Sequence, residues 1–283
     1  MTLLSDQAED IRALMGSADP AAVWAVGGPE GIQAQSAGAE AAGDTLFDVG
    51  GLAAVLALWP AIGALVEEGA LRLHTPLAVY GVTGGAGGTG TAGTAGPPSA
   101  CGAAAVVEGP GITAALASGG DGVGVPGTTT AHHLLTRADG TAALTRLAEH
   151  LSGSSLADLA ATRVWRPLGM TRTSYADGTL HAPLADLVRF LCHLLAPADT
   201  GGITRAWTAE SLRIRTGELT PPRGLLWHPT PQGAWSHHAP APAGPALWIS
   251  PRHHRWALLL PTTPDPRLRT AFRDRAFPAT GLR

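Results

Sequence analysis

Two hydrophobic patterns divide the chain: apolar residues at helical spacing, and short uninterrupted apolar runs. Leu4, Ala8, Ile11 and Leu14 share one face over residues 4–15, which predicts a short amphipathic helix. Ala21–Val26 reads as a strand, Gly27–Gly31 as a turn and Ile32–Gly38 as the return strand of a hairpin. The apolar run from Leu52 to Leu65 predicts a buried helix, with Glu67-Glu68-Gly69 as its stop. Pro60 falls inside that run and predicts a kink, because proline removes one backbone donor. Helical patterns recur at Thr130–Arg137, Ala142–His150, Ser155–Val164 and Leu184–Leu195. Ser154 or Ser155 supplies the cap of the third, with Asp158 near its first turn, and Pro167–Met170 breaks the pattern after it. Gly224–His228, Ala246–Ile249 and Arg255–Leu260 are strand-like, and a last helix is expected at Leu268–Phe272. Strands, then helices, then strands predict an α+β fold whose antiparallel sheet combines strands near 21–37 with strands from 224–260.

Residues 81–127 interrupt this order. They are rich in Gly, Ala and Thr and almost uncharged, with too few large side chains to offset the entropy of ordering. A flexible insertion within a single 1–283 domain is expected, with a short ordered piece at Ala103–Val107. It reads as a solvated loop, or as a lid or partner-binding arm.

Composition narrows the function. Hydrophobic residues make up 45% of the 283, which excludes a wholly disordered chain. The formal net charge of −3 argues against a nucleic-acid site or a polybasic membrane site. All 19 basic residues are arginine, so the chain contains no lysine. That excludes Schiff-base chemistry, a phosphate-loop lysine and a Ser–Lys pair. Cys101 and Cys192 match no metal spacing and read as a loop thiol and a buried thiol rather than a disulfide. The first ten residues have no basic region and no long apolar run, and Leu52–Val66 is too short and carries Pro60. A soluble, cytoplasmic protein is expected, without membrane or nucleic-acid partners and without a cofactor.

Several segments resemble a known family. Asp44-Thr45-Leu46-Phe47-Asp48-Val49-Gly50-Gly51-Leu52-Ala53-Ala54, continued by Leu65–Leu77, is similar to the serine β-lactamase-related family. That family includes class C β-lactamases, penicillin-binding-protein-like peptidases and family VIII-type esterases. His133–Gly140 resembles its HLLTHTSG segment, and Pro167–Thr173 its PLGMxxT segment. Leu184–Phe190 resembles its TAxDLARF helix, and Ala246–Pro251 followed by Leu258–Leu260 its last strand pair. The resemblance implies a sheet from both chain ends, flanked by helices, and a helical region here reduced. It also implies a nucleophilic serine and a lysine base, as Ser-x-x-Lys, at the head of the long helix. Those positions align with Gly51 and Ala54. The family's Tyr-x-Asn segment has no counterpart between Gly140 and the next helix, and the only tyrosines, Tyr80 and Tyr175, lie elsewhere. Its Lys/His-Thr/Ser-Gly strand is matched by His237-His238-Ala239. The expectation is therefore a degenerate, non-catalytic member with a cleft near Gly51, Ala54 and His237. Its floor should be wide and uncharged, and its occupant a small ligand or a protein partner.

Other readings compete with that one. A working hydrolase with a relocated nucleophile would use Ser236 beside His237 and His238. Neighbours on a strand point to opposite faces, so only His238 would share a face with Ser236. The doublets His132-His133, His237-His238 and His253-His254 come without a carboxylate or cysteine at metal-site spacing, so no metal site is expected. Trp227, Trp235, Trp248 and Trp256 fit the core of the sheet, while Trp227 or Trp235 could alternatively line the cleft.

Overall fold

The computed structural model describes residues 5–41, 45–81, 126, 128–137, 139–196, 202–217, 221–241 and 244–278. Nearly all of the Gly-rich segment, with Cys101 and the expected ordered piece at 103–107, lies outside them. The chain opens with helix α1 (Ser5–Ala18) and the hairpin β1 (Val23–Gly28) and β2 (Gly31–Gln35), followed by the short helix α2 (Ala37–Ala41). It closes with β6 (His228–Pro229), β7 (Trp235–His238), β8 (Ala246–Ser250), β9 (Arg255–Leu260) and helix α9 (Pro266–Ala276). These strands form one six-stranded antiparallel sheet in the order β2-β1-β9-β8-β7-β6. The two chain ends thus meet where β1 pairs with β9, Ala25 opposite Leu258. The architecture is α+β, as the order of apolar patterns predicts.

Both sheet faces are covered, which explains why β1 and β9 are buried along their whole length, and apolar apart from Arg255, rather than alternating. On one face Trp24, Val26, Trp248, Ala257 and Leu259 pack against Ile11 and Met15 of α1 and Phe272 of α9. The Phe272 ring lies 5.8 Å from Trp248 and 6.1 Å from Trp24. On the other face Ala25, Leu247, Ile249, Trp256 and Leu258 join a larger buried cluster with the helical region.

That region is built from α3 (Trp59–Glu67), α4 (Ala131–Leu135), α5 (Thr141–Ser152), α6 (Leu156–Ala160), α7 (Leu184–Leu195) and α8 (Arg205–Ser211). A second sheet of three short strands, in the order β3-β5-β4, is formed by Leu46–Asp48, Thr179–Pro183 and Ser174–Ala176. No helix among the described residues is long and apolar enough to cross a membrane.

The apolar run is a composite helix. A 3-10 turn at Gly50–Leu52 leads into a wide π turn at Ala54–Leu58 and then into α3. Pro60 accounts for the change of pitch. It has no N–H to return to the carbonyl four residues back, and its ring crowds that carbonyl. The Leu56 carbonyl is instead satisfied by the Trp165 indole at 2.8 Å. The predicted kink therefore takes the form of a widened turn with its orphan acceptor occupied. Gly69, with φ +75°, follows the helix end as expected.

One expected strand is not formed. Within Gly224–His228, Leu226 has φ +65°, and the Gly224 amide donates to the Trp227 carbonyl at 2.8 Å. The segment turns back on itself, and only His228 and Pro229 pair with β7.

Candidate functional site

The positions that the resemblance assigns to the nucleophile and to the last motif meet in space. Gly51 stands in the 3-10 turn at the head of the long helix, and β7 runs past it toward Ala239. The Gly50 amide donates to Asp48 Oδ1 at 2.9 Å and fixes the entry of the turn. A Cβ added at Gly51 would lie 2.3 Å from the Ala239 methyl and 3.1 Å from its Cα. Non-bonded carbon atoms essentially never pack as closely as the first of these distances. The Ala239 methyl occupies the space into which a side chain at position 51 would project. The wide floor expected from two small residues is thus not present here, because the methyl of a third residue fills it. Ala54, half-buried one turn on, offers no polar atom.

The Ala239 loop is held from behind. Arg269 of α9 donates through Nη1 to the Ala239 carbonyl at 3.1 Å and through Nη2 to the Gly244 carbonyl at 2.7 Å. It also donates to the Ala241 carbonyl. The Ala239 amide itself donates to the Pro245 carbonyl at 2.9 Å. Sequence reasoning did not single out Arg269. Its position three residues before the buried Phe272 places it on the flank of the helix face that meets the sheet, which is the signal available.

The β7 residues divide between the two faces. His237 pairs with Leu247 and so faces the helical region; its Nδ1 donates to the Leu226 carbonyl at 2.8 Å. Burial pushes this imidazole down to about 4, against the Leu226 bond, with His228 and His238 nearby adding to the depression. His237 is therefore neutral near pH 7, with one nitrogen committed to the backbone. Burial, then the Arg223 and His238 charges, also hold His228 down at about 4. Ser236 and His238 pair with Trp248 and Ala246, on the face covered by α1 and α9. The Ser236 hydroxyl donates to the His228 carbonyl at 3.2 Å, and His238 stacks on His228 with ring centres 6.1 Å apart. Ser236 is buried and turned away from the Gly51 side of the sheet.

The aromatic candidates separate as well. Trp227 is fully buried, edge-on to Trp59 at 5.7 Å, and Trp59 stacks on Trp207 at 6.1 Å. Trp227 thus lies inside the core. Trp235 is half-buried at the other end of β7 from Ala239. Tyr80 accepts a hydrogen bond from the Arg72 amide at 2.8 Å. Tyr175 packs 6.1 Å from Trp165, and burial pushes its phenol up to about 12, so it supplies no base near neutral pH. Among the described residues no three His, Cys, Asp or Glu side chains are placed to hold a metal ion.

Two cavities lie away from Gly51. One of about 660 Å³ opens between α1 and the edge strand β2, beside Arg12, Asp19 and Ile32. The other, of about 420 Å³, lies where α7, α8 and the turns flanking β7 and β8 converge, beside Trp235 and Arg252. Neither is lined by Gly51, Ala54 or His237.

The arrangement is similar to solved structures of known type. A β-lactamase from Mycobacterium bovis superimposes with a TM-score of 0.61 at 19% identity, covering 95% of this chain and 99% of that one. A class C β-lactamase from Rhodobacter sphaeroides gives 0.64 at 14%, over 96% and 98%. The octameric penicillin-binding protein homologue from Pyrococcus abyssi gives 0.65 at 12%, over 96% and 76%. No protein-family model matches the sequence, and no curated protein matches it. At these identities the likeness establishes the fold: this chain folds as the serine β-lactamases and penicillin-binding protein homologues do.

Proposed function

We propose that this chain carries the serine-hydrolase fold without acyl-transfer chemistry and acts as a non-catalytic binding protein for a small ligand or a protein partner. One observation carries the reading: the Ala239 methyl stands where a nucleophilic side chain at position 51 would have to project. Two facts of the sequence agree with it. Ala54 replaces the base one turn on, and no lysine exists elsewhere to substitute. Nucleophile and base act as a unit, so losing both removes several orders of magnitude in rate. The relocated nucleophile finds no support, since Ser236 faces the other side of the sheet and its hydroxyl is engaged by a carbonyl.

The experiment is exposure of the full chain to a fluorescent penicillin and to a fluorophosphonate, followed by intact-mass measurement. An unmodified mass with both reagents is expected, together with no hydrolysis of a short-chain p-nitrophenyl ester above background. A stoichiometric adduct at any one residue overturns the reading.

A further inference from the structure

The 420 Å³ cavity beside Trp235 combines two kinds of surface. Its floor is apolar: Leu194 and Leu195 at the end of α7, Leu212 just past α8, and the half-buried Trp235 ring. Its rim carries Arg205, the first residue of α8, and Arg252, in the 3-10 turn Pro251–His253 between β8 and β9. Both arginines are exposed, and among the described residues neither is in an ion pair or a side-chain hydrogen bond. The nearby Glu210 is committed to Arg213 and Arg215.

The volume falls within the ~300–1,000 Å³ of small-molecule sites, and such sites join an apolar lining to a few convergent polar groups. A guanidinium offers paired donors that match a carboxylate. Two of them above a leucine and tryptophan floor complement one negative charge attached to one apolar chain.

We infer that this cavity binds a small organic anion with an apolar body, its carboxylate between Arg205 and Arg252 and its chain over Trp235 and the leucines. The site lies at the Trp235 end of β7, opposite Ala239, so it stands or falls independently of the closed position at Gly51.

Calorimetric titration of the full chain with octanoate, octanol and acetate tests this. Octanoate is expected to bind once per chain and at least tenfold more tightly than either of the other two, which lack charge and tail respectively. In the double variant Arg205→Gln, Arg252→Gln the octanoate affinity should fall at least tenfold, while octanol stays within twofold. Ala209→Trp, an exposed lining position on α8, should abolish octanoate binding with the circular dichroism spectrum unchanged. Absence of octanoate binding, or an affinity that both variants leave intact, overturns the proposal.

Discussion

The two ends of β7 differ in a way that the shared fold does not require. At the Ala239 end a methyl fills the space beside Gly51, and Arg269 spends its donors on the carbonyls of the loop that carries it. At the Trp235 end a cavity stays open, and two arginines stand over it without partners among the described residues. One end is filled and tied down by both terminal nitrogens of Arg269; the other is hollow, beneath guanidinium groups with no partner among the described residues. Polar groups left unpaired next to apolar surface point to binding more strongly than a position inherited from a fold does.

Substitutions at the two ends should separate in size. Arg269→Ala removes charged donors from three carbonyls, and hydrogen bonds to charged groups contribute about 1.5–3 kcal/mol. A loss of about 2 kcal/mol in urea unfolding is expected. Arg252→Gln removes an exposed charge that has no partner among the described residues and should change stability by less than about 0.5 kcal/mol. If the two variants were equally stable, the clamp behind Ala239 would have no energetic content.

A pH series sharpens the same contrast, because His237 stands two residues before Ala239, with the His228 ring 6.4 Å from its own. Both imidazoles are held down at about 4 by burial, against an ordinary value near 6.5. The unfolded chain then binds more protons than the native one between those values. Their contribution is fully present above about pH 6.5 and is lost progressively as pH falls toward 4. The unfolding free energy from urea titration should be upwards of about 1 kcal/mol lower at pH 5 than at pH 7.5 in the native protein. The difference should shrink in His237→Gln, whose amide can still donate to the Leu226 carbonyl. An equal difference in that variant would remove His237 from the account.

The fold was legible in the sequence wherever burial is continuous or periodic over many residues. Helix α7 spans Leu184–Leu195 and β9 spans Arg255–Leu260, as their apolar patterns predict. Short elements escaped. The second sheet is made of strands of three to five residues, too few for a period to show. Helix α8 has only seven residues, and its one signal is Thr204, whose hydroxyl accepts from the Trp207 amide. The Gly224–His228 error came from a local choice, the left-handed Leu226, that tertiary contact imposes through the Leu226 amide donating to Leu135.

The candidate site was half legible. The sequence placed Gly51 and Ala239 in two motifs of a resembled family, and each change taken alone reads as a loss. The resemblance already set the two motifs beside one cleft; only the structure shows that the methyl at one fills the space left by the other. Distances between residues so far apart along the chain are set by packing, and no local pattern encodes them.

The closure of position 51 by Ala239 is tested most directly by a double-mutant cycle on stability. Gly51→Ala in the native background should cost about 1–3 kcal/mol through overpacking. In the Ala239→Gly background the space is vacated, so the same substitution should cost at least about 1 kcal/mol less. An equal cost of Gly51→Ala in both backgrounds would contradict the account, because position 51 would then not be closed by that methyl.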